Sequence, residues 1–205
     1  DVSLSFLGIA FLFYSGLFLG IGEVSNLAGV ALCVPIANKI GKKSTFILVN
    51  AALVVFSIAF FFVPCTSEGY WTMLILQIII SIFTGIMSPL VWSMYADVSD
   101  YAELKFHTAS TGLIFSSASM AQKFGGAIGG AAVLWLLSGF GYNTDASTTA
   151  GVVQPESALM VLRWLMSFIP AAVAAFAIVV VWFYPLTTKR IHEISAELKK
   201  FRDIE

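Results

Sequence analysis

The chain has 205 residues, 59% of them hydrophobic and only 11% charged, with a formal net charge of −1. A soluble domain carries roughly 25% charged residues, and a water-soluble fold of this size has nowhere to hide so much apolar surface, so the composition belongs in lipid. The small net charge excludes the electrostatic footprint of a nucleic-acid binder, and the two cysteines, Cys33 in an apolar run and Cys65 in a short loop, form neither a disulfide framework nor a metal-ligand spacing.

Asp1 to Ser5 lacks the basic n-region and small-residue cleavage site of a signal peptide. An abrupt apolar start with no initiator Met predicts a piece of a longer chain. The first apolar run, Leu4 to Asn38, contains a single charge, Glu23. It is too long for one straight span and short for two. A hairpin turning at Gly20 to Ser25 would leave arms of about 15 residues, below the usual 17 to 25, so one tilted helix over about Leu12 to Ala37 fits better. Four clean runs follow: Phe46 to Val63, Trp71 to Trp92, Leu113 to Gly139 and Ala158 to Tyr184. Each can cross a hydrocarbon layer of about 30 Å at about 1.5 Å per residue.

The fold class expected is therefore all-α, a polytopic transmembrane helix bundle of five or six spans over residues 1–186. The tail, residues 187–205, places Ile191, Ile194, Leu198 and Phe201 at helical spacing between charged residues. That amphipathic pattern predicts a cytoplasmic helix, either lying on the inner leaflet or solvated.

Lys39, Lys42 and Lys43 follow the first run, Lys105 follows the third, and Lys189, Arg190, Lys199, Lys200 and Arg202 follow the last. If the spans alternate, all of these lie on one side. The opposite connections, Pro64 to Tyr70 and Phe140 to Ser157, hold no Lys or Arg. By the positive-inside rule the basic side, including the C-terminus, is cytoplasmic.

Ionisable residues inside spans are costly, about 2.5 to 3.5 kcal/mol for a mid-bilayer lysine, and so they are informative. Lys123 lies ten residues from the near end of its run, too deep for easy snorkelling, and Ser119 stands one turn away on the same face, with Gln122 beside it. This polar stripe is expected to face protein or water, although a structural ion pair would account for it equally in kind. Gly125-Gly126-Ala127-Ile128-Gly129-Gly130 next to it offers a small-residue face for close helix approach. Glu23 is a second intramembrane charge candidate if its run is one helix. Trp71, Trp92 and Trp182 lie near run ends, where aromatic belts place indoles.

The segment Tyr95-Ala96-Asp97-Val98-Ser99-Asp100-Tyr101-Ala102-Glu103-Leu104-Lys105 is dense in acids directly after a span. It resembles the cytoplasmic signature of the glycoside-pentoside-hexuronide:cation symporters, the melibiose-permease type of major facilitator. Pro35-Ile36-Ala37-Asn38-Lys39-Ile40-Gly41-Lys42-Lys43 resembles that family's P-x-x-x-K-x-x-G-K-K loop with one residue fewer between Lys39 and Gly41, and Gly141-Tyr142 is a further match. The resemblance runs from about Leu12 onward and corresponds to the C-terminal half of such a transporter. It implies five spans, because the P-x-x-x-K-x-x-G-K-K loop follows the family's eighth helix, with Asp1 to Phe11 as an external lead-in.

The same resemblance implies a sugar or glycoside:cation symporter of the cell inner membrane working by alternating access, with H+, Na+ or Li+ as co-substrate and no other cofactor. Its implied partners are the lipid bilayer, the sugar, and a missing N-terminal six-helix half. It puts Lys123 beside the sugar and cation sites, with Ser119 and Gln122 facing sugar. At Ser88 the chain departs from the melibiose type, which has a Trp there. Asp97, Asp100, Tyr101, Glu103 and Lys105, with Lys39, Lys42 and Lys43, are implied as a cytoplasmic gate whose pairs differ between states, against a fixed loop network as the alternative. A membrane-embedded enzyme would need convergent catalytic groups at membrane depth; His107 and His192 lie outside the runs. A scaffold or sensor bundle would not need Lys123.

Overall fold

The computed structural model describes residues 2–64, 67–108, 110–143 and 154–202, with side chains described for 16–64, 69–108, 110–143 and 154–200. Among the described residues seven helices follow one another: α1 (Val2–Ile40), α2 (Lys42–Phe61), α3 (Ser67–Phe106), α4 (Thr111–Gly139), α5 (Glu156–Met166), α6 (Phe168–Trp182) and α7 (Thr188–Arg202). Among the described residues, five segments are long and apolar enough to cross a membrane, the fifth being α5 and α6 together. Cys65, Thr66 and Ser147, which the sequence reading placed in connections, lie outside the described residues.

The first run is one helix, with no turn at Gly20 to Ser25. At about 1.5 Å per residue its 39 residues reach about 58 Å. It ends where Gly41, at φ 85°, begins the turn into α2. A side chain there would be strained and would collide with the Thr188 side chain of α7.

One expectation needs correction and a second needs refinement. The acidic stretch Tyr95 to Lys105 is not a loop: α3 continues through it for about three turns, until His107 adopts the left-handed conformation (φ 51°) and donates to the Glu103 carbonyl at 2.9 Å. Asp, Glu and Tyr are compatible with a helix, and no breaker intervenes after Pro89. The last apolar run does form one segment long enough to cross, but it is interrupted near its middle. Ser167, at φ −129° and ψ −79°, separates α5 from α6. Three residues later Pro170 offers no N–H and its ring crowds the Met166 carbonyl, which favours a break here, although α1 and α3 run on through Pro35 and Pro89.

The core lies where α1, α2 and α3 meet. Cys33, Phe46, Val49, Ile86, Leu90 and Met94 are buried there, with Ala177, Val181 and Tyr184 packed against them. The α1–α3 crossing is a backbone contact: a side chain on Gly29 would strike the Ile82 carbonyl, and one on Gly85 the Asn26 carbonyl. Amphipathic α7 is neither afloat nor lying free, because Ile194 and Leu198 are buried and the helix packs on α3.

Candidate functional site

Two groups of polar residues stand out, one at the end of the bundle where α1, α3 and α6 terminate, the other at mid-height. At the end, Lys42 and Lys43 occupy the first turn of α2, where positive charge opposes the helix dipole. Each is compensated by a neighbour. Lys42 Nζ donates to both carboxylate oxygens of Asp97, at 2.7 and 2.8 Å, and to the Ser93 carbonyl at 3.4 Å. Lys43 Nζ donates to the Trp182 carbonyl at 2.8 Å and the Tyr184 carbonyl at 2.7 Å, satisfying acceptors that the end of α6 leaves open. Asp97 is buried and Lys42 half-buried. Burial, reinforced by the Asp97 carboxylate, pushes the Tyr184 phenol above its ordinary value, so it remains an O–H donor, 3.5 Å from the Met94 carbonyl. These contacts tie α2, α3 and α6 together at one end.

Of the other residues in the expected gate, Asp100, Tyr101 and Glu103 are half-buried, and Lys39 is exposed. Lys105 Nζ lies 5.7 Å from the Tyr101 ring centre and 5.4 Å from that of Phe106. The structure thus joins Lys42 to Asp97 and leaves this set spread over the ends of α1, α2 and α3.

The mid-height group centres on α4, which buries no residue. Its foot is held to α3: Ser99 and Thr111 share a hydrogen bond of 2.7 Å, and Trp92 stacks on Phe115 with ring centres 5.8 Å apart. Ser88 stands one turn before Trp92 on α3, and Ser119 one turn after Phe115 on α4. Gly112, Ser116, Ser119, Lys123, Gly126 and Gly130 recur at intervals of three and four and share one face. That face is open: Lys123 is exposed, and the glycines have no atom near enough to meet an added side chain. The adjoining face carries Met120, Phe124, Ile128 and Trp135, all at least 59% exposed, and is apolar throughout. Thus α4 presents one lipid-compatible face and one that is small, polar and charged.

Glu23 is exposed on α1 in an apolar setting of Leu19, Leu27 and Val30, away from the α3 contact made by Gly22 and Gly29. Ser88 is exposed on α3. Sequence reasoning missed three polar positions at comparable depth. Gln77 donates to Ser81 at 3.4 Å, Thr84 returns its hydroxyl to the Ile80 carbonyl at 2.8 Å, and Asn50 is buried with its amide on the Phe46 carbonyl at 2.9 Å. Arg163, in the last turn of α5, was also passed over, since it stands alone in an apolar run. Its carbonyl accepts the Ser167 hydroxyl at the helix break. The Gly141-Tyr142 match now has a physical reason. Gly141, at φ 75°, closes α4 with its N–H on the Ser138 carbonyl and the Tyr142 N–H on the Leu137 carbonyl, a Schellman motif.

A bundle of long apolar helices, with most of its charges at one end and a lysine-bearing stripe at mid-depth, defines a multi-pass membrane protein built as transporters are. The MFS/sugar transport protein family model matches residues 7–188. The chain is 31% identical over 198 residues to the glucuronide carrier protein homolog of Escherichia coli K12, covering 93% of this chain and 41% of that relative. It is 32% identical over 176 residues to the inner membrane symporter YicJ of the same organism, covering 85% of this chain and 37% of the relative. The chain therefore belongs to the sugar-transporting major facilitators, in the glycoside-pentoside-hexuronide:cation symporter group, and spans about 40% of the length of these curated relatives.

Proposed function

We propose that this chain forms the C-terminal bundle of a sugar or glycoside:cation symporter of the cell inner membrane, with its basic end and C-terminus in the cytoplasm, and that it carries out no catalysis. The observation that carries this reading is the stripe on α4, where Lys123 is exposed among Ser116, Ser119 and small residues while α2 and α3 are packed. A lysine turned to lipid at this depth would cost a few kcal/mol, so the stripe belongs against water or against the second bundle. In alternating access two bundles rock about a midplane site. Lys123 then donates hydrogen bonds to sugar hydroxyls or balances a carboxylate of the opposing bundle, with Ser119, Gln122 and Ser88 as further ligands. Membership of a family that includes a protein named a glucuronide carrier homolog supports the substrate class.

The test is cation-driven sugar uptake by the protein at its natural full length. Lys123→Ala is expected to abolish accumulation while the protein stays inserted and folded. Lys123→Arg rescues poorly, because a planar fork does not replace a compact ammonium. Wild-type accumulation by Lys123→Ala would eliminate the assignment. A loss that tracks loss of folded protein would reduce Lys123 to a structural role.

A further inference from the structure

A cavity of about 400 Å³ opens where α7 meets the end of α3. Tyr101, Thr187, Lys189, Arg190 and Glu193 line it, with Pro185 and Leu186 forming its floor. Its walls are fixed: Leu186, Ile194 and Leu198 are buried, and the Thr188 side chain rests in the space left by Gly41. The Lys105 ammonium stands 5.7 Å from the ring of Tyr101, which adds a third cation to the neighbourhood. One carboxylate, Glu193, accepts from Arg190 at 3.1 Å, but both partners are nearly half exposed. Such a pair is worth little in water and yields readily to a competing anion.

Position decides which anion. Trp182 and Phe183, 67% and 80% exposed, directly precede the cavity, so it lies where the last span leaves the hydrocarbon. We propose that this cavity binds the phosphate of an anionic glycerophospholipid headgroup, held by Lys189 and the guanidinium fork of Arg190, while the acyl chains run down beside Trp182 and Phe183. Arg190 recognises phosphate through paired N–H donors, and Lys189 as a point charge. Glu193 holds the fork in place when no lipid is bound and opposes the phosphate when one is. The site stands on the membrane-spanning fold alone and is independent of what is transported.

The experiment uses the full-length protein in nanodiscs of equimolar phosphatidylglycerol and phosphatidylcholine, with retained lipid counted by native mass spectrometry. The wild type is expected to enrich phosphatidylglycerol by about fivefold for each basic residue engaged, the ratio that about 1 kcal/mol per charge provides. Lys189→Ala/Arg190→Ala brings the ratio close to parity. Glu193→Gln raises it, a change of opposite sign that misfolding does not produce. Millimolar inorganic phosphate leaves it unchanged. No enrichment in the wild type, enrichment that survives the double substitution, or a fall with Glu193→Gln would overturn the proposal. Collapse of the ratio on adding phosphate would also overturn it, by assigning the cavity to the free ion.

Discussion

Helices α2 and α4 are both apolar, both long enough to cross a membrane and both lysine-bearing, yet α2 buries six side chains and α4 none. On α2 each lysine at the N-terminus has a fixed acceptor, in Asp97 or in the carbonyls at the end of α6. On α4 the lysine lies in an open stripe of small and polar residues. The contrast separates two uses of charge in a membrane bundle. Lys42 and Lys43 hold helices of one bundle together, whereas Lys123 is exposed on the surface of the bundle. A pair fixed inside one bundle has the same partner whichever way two bundles rock, so it controls nothing by itself. This favours Lys42 and Asp97 as a clamp that keeps α2 and α3 moving as one body.

The strongest way to break the contrast is to compare glycines. Gly85→Leu forces a side chain into the Asn26 backbone at the α1–α3 crossing and is expected to abolish folded, monodisperse protein. Gly126→Leu meets nothing within the chain, so extraction and melting temperature hold while sugar uptake is lost. Equal losses of folded protein from both would erase the distinction between the helices.

Next in size is the clamp. Lys42→Ala leaves the buried Asp97 without its ammonium, and a cost of about 2 to 4 kcal/mol is expected, the lower part of the range because Lys42 is partly in solvent. Removing both charges together, as Lys42→Met/Asp97→Leu, should recover much of it, and a thermal-melt cycle reads the coupling directly. If Asp97→Asn slows turnover without lowering the melting temperature, the clamp reading fails and a state-dependent gate replaces it. The smallest effect expected is at the break in the last span. Pro170→Ala restores a backbone donor and shifts melting by at most a few degrees, because Pro170 stands in the first turn of α6, where a missing N–H leaves little unsatisfied. A large shift would show the break to be essential to packing.

Hydropathy made the spans legible because length and apolarity are what a bilayer demands of a helix. The single first helix was legible for the same reason: two arms of about 15 residues could not both cross. The ends were not. Asp97 and Glu103 read as a loop because charge after an apolar run usually marks water, whereas here α3 outlasts the apolar run and Asp97 is stabilised by Lys42, 55 positions earlier in the chain. Pro170 was visible but lay inside an apolar stretch that length alone joined into one helix. The Gly29–Gly85 crossing was illegible, since nothing in either local sequence names its partner. On α4 the Lys123 stripe could be read from periodicity alone; its openness could not, because that depends on which faces the other helices leave uncovered.

The most direct measurement of the central claim is water accessibility around α4 in the full-length protein, with Cys33 and Cys65 replaced by serine and single cysteines introduced at Ser116, Ser119 and Gly126 or at Met120 and Phe124. If the stripe lines the pathway between two bundles, membrane-impermeant thiol reagents modify the first three positions, transported sugar slows that reaction, and Met120 and Phe124 stay unreactive in lipid. Protection of the stripe from reagent in every condition, or equal labelling of both faces, would contradict the account.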